Sequence, residues 1–211
     1  MKIKKITTNI IHVNFDTQEE LTKTFCRFQE HYESPEFAGK IFTLGQYREW
    51  YSERYGGWTY YTDWNGFNIP NIVLEPFKKG LFDPLSEEEQ LFLDLFKHRT
   101  GKFYIIGTHT SKQDEALDHE ICHALYYLDR EYKEEIDMVI ASSPSQAFEE
   151  LEKWMLGRGY AGKFLADEIQ AYLTCNVDYL QKQGLKIPPE TLAFEEVKIN
   201  YFKKHGLDGY L

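Results

Sequence analysis

Residues 118–125 constrain the fold more than any other part of this 211-residue chain. They read Asp-His-Glu-Ile-Cys-His-Ala-Leu and lie within a predicted helix over residues 112–135. Apolar residues recur at helical spacing along one side of this helix: Leu117, Ile121, Leu125 and Leu128. His119 and His123 are four positions apart, so they share another side, one turn from each other. The segment therefore predicts a helix that is anchored in a core by one face and presents two imidazoles together on another.

Strand patterns are short and lie mainly in the first half of the chain. β-Branched and aromatic runs predict strands over residues 3–15 and 103–108, and aromatic residues leading to the turn dipeptide Asn65-Gly66 predict β structure over 58–74. Capping boxes and apolar periodicity predict helices over residues 17–31, 43–55, 86–97, 145–157, 163–183 and from 188 towards 206, with a brief apolar run at 138–141. Because helices and strands are segregated rather than alternating, the pattern predicts an α+β fold, mostly helical with a small mixed sheet.

Charge and cysteine usage narrow the classes of partner. The formal net charge is −10. The negative electrostatic field of such a chain repels phosphate backbones and anionic membranes. Neither nucleic acid nor membrane is therefore an expected partner. Three cysteines without framework spacing indicate a reducing compartment. No stretch approaches the roughly 18 apolar residues that a transmembrane helix requires. We therefore expect a cytoplasmic protein; its oligomeric state stays open.

The two histidines and the glutamate between them suggest hydrolytic metal chemistry. His119 and His123 can direct both rings at one metal ion from the same helix face, and Glu120 lies beside them without being a ligand. In such an arrangement the metal and the carboxylate together activate a water molecule. The alternative interpretation is two solvent-facing histidines on an amphipathic helix. Cys122 is expected to be a small buried residue on the flank of this helix.

A third ligand is expected, because a hydrolytic zinc site usually has three protein ligands and an open position. Glu168 lies on a later predicted helix, and the small Ala171 would let that helix pack closely against the first. Asp167, Glu149, Glu150 and His205 remain alternatives. For an isolated Glu, a solvated surface carboxylate is an equally plausible interpretation.

The combination of His119-Glu-Ile-Cys-His123 with Glu168-Ile-Gln-Ala-Tyr172 resembles the zincin metallopeptidases, specifically the gluzincin branch. The resemblance implies Zn²⁺ as the cofactor, with His119, His123 and Glu168 as ligands and Glu120 as the catalytic general base. It also implies that the preceding strand, residues 103–108, is the sheet edge along which an extended peptide or protein substrate lies. On this basis residues 1–211 form one zincin-like domain, with 1–100 a possible substrate-recognition subdomain and 101–211 the metal-binding part.

The chain departs from the gluzincin pattern at Tyr172, where an Asp commonly orients a ligand histidine. Asp118 or Asp167 could take over this role, or the metal would bind more weakly. The third histidine of metzincins is absent.

The sequence does not select the group that stabilises the oxyanion. The candidates are Tyr126, Tyr127, Tyr160, Tyr172 and His205, although aromatic packing is the commoner role for each of them. The aromatic residues of 50–67 predict the core of a hairpin that lies against helices, more than a binding surface.

The same residues are compatible with two functional classes other than a peptidase. Glu120 and His123 also form the Glu-x-x-His element of di-iron bundles, but those need a second such element, and the chain has none. A catalytically inactive zincin-like protein that binds a metal or a protein partner is the more serious alternative. Glu120 favours the enzyme, because a binding protein has no chemical need for a base beside the metal.

Overall fold

The computed structural model describes residues 1–111, 113–142, 145–160 and 162–211, with the side chains of 113–116 left out. The fold is α+β. It comprises two compact units, Met1–Ala116 and Leu117–Leu211. No helix in the described ranges combines the length and the apolar character that crossing a membrane requires.

In its described residues, the first unit contains a four-stranded mixed sheet and five complete α-helices. The strands are β1 (Lys2–Lys5), β2 (Ile10–Phe15), β3 (Gly66–Pro70) and β4 (Tyr104–His109), in the order β1-β2-β4-β3. β2 and β4 are parallel, whereas β1 and β3 are antiparallel to their neighbours. The helices are α1 (Gln18–Glu33), α2 (Leu44–Tyr55), α3 (Tyr60–Asp63), α4 (Glu75–Lys78) and α5 (Glu87–Leu95). A 3₁₀ turn covers Asn71–Leu74.

Helix α1 packs on one face of the sheet and forms the centre of the first core. Thr17 and Glu20 close the capping box that starts this helix. Phe25 is fully buried and stacks on Phe67 of β3. Gly107 of β4 lies under this ring, and a Cβ at that position would be 2.5 Å from Cε2 of Phe25. The close approach of α1 to the sheet therefore depends on a residue without a side chain.

Two β predictions for the first unit are wrong in detail. Residues 3–15 form the β1–β2 hairpin and not one strand, because Thr7 Oγ1 accepts the backbone N–H of Asn9 and Ile10 and turns the chain. The predicted hairpin at Asn65-Gly66 does not form, since Tyr60–Asp63 is helical and β3 pairs with β4.

The strand expected at the sheet edge, residues 103–108, is in fact central. It corresponds to β4, which pairs with β2 on one side and β3 on the other. All six residues of β4 are buried, which is typical of a strand covered on both faces. A short apolar run does not distinguish such a strand from an edge strand. The division between the two compact units falls after β4, between residues 116 and 117.

The second unit is helical. It contains α6 (Gln113–Leu128, which starts in the first unit), α7 (Arg130–Ser142), α8 (Gln146–Gly157), α9 (Leu165–Cys175), α10 (Val177–Lys182) and α11 (Thr191–Lys204). Short 3₁₀ turns cover Gly162–Phe164 and Asp208–Tyr210. Helix α9 is central among these helices and packs against α7, α8, α10 and α11.

The helix predicted over 112–135 is two helices, and the apolar run at 138–141 belongs to the second. Asp129 separates them, since its Oδ1 accepts the backbone N–H of Glu131 at 2.9 Å and of Tyr132 at 3.1 Å. A side chain that caps a new helix N-terminus in this way ends the preceding helix. The helix predicted over 163–183 is also divided, because the backbone leaves helical geometry at Asn176 before α10 begins, here without a side-chain cap.

Candidate metal centre

Two helices of the second unit bring the three predicted ligands together. His119 and His123 lie one turn apart on α6, and Glu168 lies on α9. Their ligand atoms all lie within 4.8 Å of one another, and they are the one group of this kind in the described part of the chain. His123 and Glu168 are buried, and His119 is half-buried. The apolar stripe of α6 explains the placement, because Ile121 and Leu125 are buried and hold the helix in the core.

The separation of the two imidazoles suits a small tetrahedral cation. Nε2 of His119 lies 3.1 Å from Nε2 of His123. With Zn–N bonds of about 2.0–2.1 Å, two ligands of a tetrahedral zinc ion are about 3.3–3.4 Å apart. The observed distance is within a few tenths of an ångström of that value. The donor set of two nitrogens and one carboxylate is also one that zinc accepts, so the residues present fit the ion that the sequence predicts.

Each histidine uses its other ring nitrogen in a hydrogen bond that fixes its orientation. Nδ1 of His123 lies 2.9 Å from Oδ1 of Asp167, and Nδ1 of His119 lies 2.6 Å from Oδ1 of Asn176. Both partners are acceptors, so both rings carry a proton on Nδ1 and direct Nε2 at the site. Asp167 and Asn176 thus contact the two rings in the way that the gluzincin pattern implies for an Asp at position 172. Asp118, the other suggested substitute, pairs with Lys198 instead.

A buried hydrogen-bond chain continues behind Asp167. Nε2 of Gln170 donates to Oδ1 of Asp167 at 3.0 Å, and the hydroxyl of Tyr132 donates to Oε1 of Gln170 at 2.7 Å. Tyr132 and Gln170 are both fully buried. The orientation of His123 therefore depends on a connected set of hydrogen-bonded side chains from α6, α7 and α9.

The electrostatics of the site favour a cation at the point where the ligands meet. Burial, together with the charges of Asp167 and Glu120, raises the pKa of Glu168 to about 7, although the charge of His123 acts in the opposite direction. Burial alone would lower the pKa of His123, but Asp167, Glu168 and Glu120 outweigh it and hold this pKa well above its usual value. Burial lowers the pKa of His119 to about 3, and the charge of His123 acts in the same direction. A metal ion that binds here would have to displace the proton that the raised pKa of His123 favours.

Glu120 lies close to this group without belonging to the ligand set. It is 7% exposed, and its charge acts on His123, Glu168 and Tyr172, raising the pKa of each. The buried carboxylate of Glu120 therefore lies within electrostatic reach of two of the ligands and of Tyr172.

The structure separates the candidates for an oxyanion donor. Tyr172 packs edge-on against His119 with ring centroids 5.1 Å apart, and its hydroxyl lies 2.8 Å from that of Tyr160. Tyr126 instead donates to Asp137, and His205 pairs with Asp129. Burial raises the pKa of Tyr172 to about 12, so this hydroxyl keeps its proton at neutral pH. Tyr172 is therefore in direct ring contact with a predicted ligand, whereas Tyr126 and His205 are engaged elsewhere.

The alternative ligands Glu149 and Glu150 interact with Lys153 and Gln146 within α8 and lie outside the ligand group. Cys122 is fully buried, as predicted.

Asn176, Gln170 and Tyr132 were not singled out from the sequence. Asn176 had a usable signal, since it lies two helical turns after Glu168 on the same face.

Comparison with protein-family models, with curated proteins and with solved structures gives no match.

Proposed function

We propose that this chain is a zinc-dependent amide hydrolase that acts on a peptide or peptide-like substrate. The observation that supports this most strongly is the convergence of His119, His123 and Glu168 with Glu120 buried beside them. Three ligands leave a fourth position open in a tetrahedral site, as hydrolytic zinc sites require.

A bound zinc ion would supply Lewis-acid activation of water and of the scissile carbonyl. His119, His123 and Glu168 would hold it, with Asp167 and Asn176 fixing the two rings. Glu120 accepts the proton of the attacking water and passes it to the departing amine, so that this carboxylate ends the cycle as it began. Tyr172 donates its hydroxyl hydrogen to the oxygen that gains negative charge during the attack.

An extended peptide substrate would not bind by adding to β4, although the gluzincin resemblance implies that this strand is a free sheet edge. β4 has a strand on each side, so its backbone groups are already engaged.

A metal-binding protein without turnover is the second candidate, and one observation favours it. His123 and Glu168 are only 3% and 8% exposed, a degree of enclosure that structural zinc sites share. Glu120 distinguishes the two functions, because a structural site needs no base.

The test compares wild type with Glu120→Gln, using a peptide library made by digesting a whole proteome and mass spectrometry of the cleavage products. Zinc content is measured in both proteins. We expect zinc-dependent cleavage by wild type and a loss of about 10²- to 10⁴-fold in Glu120→Gln with zinc retained. Cleavage that is unaffected by Glu120→Gln would exclude this mechanism. Zinc binding without any cleavage by wild type would favour the structural candidate.

A further inference from the structure

Two cysteines lie next to each other behind the metal ligands and have no part in the proposed hydrolysis. Sγ of Cys122 on α6 is 3.7 Å from Sγ of Cys175 at the end of α9. Both are free thiols, Cys122 fully buried and Cys175 half-buried. Either sulfur can be the hydrogen-bond donor. The third cysteine, Cys26, is buried on α1 in the other unit.

A lysine from a third helix lies against this pair. Nζ of Lys198 on α11 is 3.2 Å from Sγ of Cys175 and 3.3 Å from both Oδ2 of Asp118 and the carbonyl oxygen of Thr174. Lys198 is buried, so its ammonium acts on the sulfur with little screening by solvent. The hydroxyl of Thr174 also lies 3.4 Å from Sγ of Cys175. The contact with Cys122 and burial hold the pKa of Cys175 well above its usual value, and the ammonium of Lys198 acts against them by favouring the ionised, nucleophilic form.

We propose that Cys122 and Cys175 form a redox-active pair that hydrogen peroxide converts into an intramolecular disulfide. The two sulfurs need to approach by only about 1.7 Å to reach the bond length of about 2.05 Å. Cys175 is the partly exposed member and meets the oxidant first. Cys122 is in contact with it and resolves the oxidised sulfur.

The chemistry balances with one molecule of peroxide. The sulfur of Cys175 attacks one peroxide oxygen, the O–O bond breaks, and the products are a sulfenic acid and one water. The sulfur of Cys122 then attacks the sulfenic sulfur, forming the S–S bond and releasing the hydroxyl as a second water with the remaining thiol proton. Two thiols lose two hydrogens in total, and the peroxide is reduced to two waters.

This redox pair is independent of the proposed hydrolase activity, because no metal ligand takes part. A disulfide would nevertheless join α6 directly to α9, the two helices that carry the ligands. Cys122 immediately precedes His123, and Cys175 immediately precedes Asn176, the hydrogen-bond partner of His119.

The experiment treats the purified full-length chain with hydrogen peroxide and counts the remaining thiols after denaturation, with peptide mapping of the unreduced protein. We expect the thiols of wild type to fall from three to one, and the map to show one peptide that links Cys122 to Cys175. Cys26→Ala is the matched control and should form the same link. In Cys122→Ser no link can form, so we expect Cys175 to remain a sulfenic acid or to oxidise further.

Two lysine variants separate the role of the charge from that of packing. Lys198→Met keeps most of the length of the side chain but not the ammonium, and we expect its link to form at least about 10-fold more slowly. Lys198→Arg keeps a cation and should stay closer to wild type. Over-oxidation of Cys175 without a link in wild type, a link between two chains, or no reaction of either thiol would overturn the proposal. Equal rates for wild type and Lys198→Met would overturn the role of the lysine.

Discussion

Replacing Asp167 with alanine tests how the metal centre orients its histidines. Oδ1 of Asp167 accepts from Nδ1 of His123 at 2.9 Å and from Nε2 of Gln170 at 3.0 Å. Alanine removes both contacts. The ring of His123 then loses the group that fixes its tautomer, and the amide of the fully buried Gln170 loses an acceptor.

The size of the expected effect follows from the lost hydrogen bond between Asp167 and the predicted ligand His123. A hydrogen bond to a charged group contributes about 1.5–3 kcal/mol, which corresponds to about 10- to 150-fold in the dissociation constant for zinc. Removal of outer-shell partners in metal sites gives a similar range, about 10- to 100-fold. Asp167→Asn keeps a side chain of the same shape and an acceptor oxygen but loses the charge, so its affinity should lie between those of wild type and Asp167→Ala.

Competition with a chromogenic zinc chelator measures the dissociation constant of each variant. Circular dichroism and thermal unfolding of the zinc-free proteins establish that all of them fold. Asp178→Asn, at an exposed aspartate on α10, is the control and should bind zinc as wild type does. If Asp167→Ala binds zinc within twofold of wild type while it is folded, Asp167 does not orient His123, and the reasoning about the outer contacts of this site is wrong.

Two further predictions concern protons and packing. Zinc affinity should rise with pH through about 7, because Glu168, with a pKa of about 7, and His123, whose pKa is raised, must both lose protons before they can bind. Titration calorimetry in two buffers of different ionisation enthalpy should therefore show proton release on binding, and an absence of proton release would contradict these shifts. Gly107→Ala should destabilise the protein by about 1–3 kcal/mol in urea unfolding, because the new Cβ would overlap the ring of Phe25. Gly209→Ala, where a Cβ meets no atom within 4 Å, should change stability far less, and equal effects of the two changes would contradict the close approach.

Local signals in the sequence were sufficient to predict most helix starts and to single out the group of His119, His123 and Glu168. Capping boxes at Thr43 and Ser86 begin α2 and α5 as predicted, since a cap depends on residues only three positions apart. The His119–His123 spacing likewise depends only on the helix. The structure places Glu168 beside this pair, as expected for a carboxylate on a helix that packs closely through Ala171, which is fully buried.

What could not be predicted depends on contacts between distant segments. The central position of β4 follows from its pairing with β2 and β3, far away in sequence. The roles of Asn176 and Gln170 depend on the rotation of α9 against α6 and α7, which no local pattern specifies. The break at Asp129 had a local cause, since an aspartate can cap a helix, but the apolar periodicity on both sides obscured it.

Metal analysis of the purified protein tests the central claim most directly. Wild type, His123→Ala and Glu168→Gln are each loaded with zinc, dialysed and measured by elemental analysis, with His98→Ala, at an exposed histidine of the other unit, as the control. We predict about one zinc per chain in wild type and in His98→Ala, and loss of the ion in the other two variants. Zinc retained at the same level in a folded His123→Ala, or no zinc in wild type, would contradict the assignment of these residues as ligands.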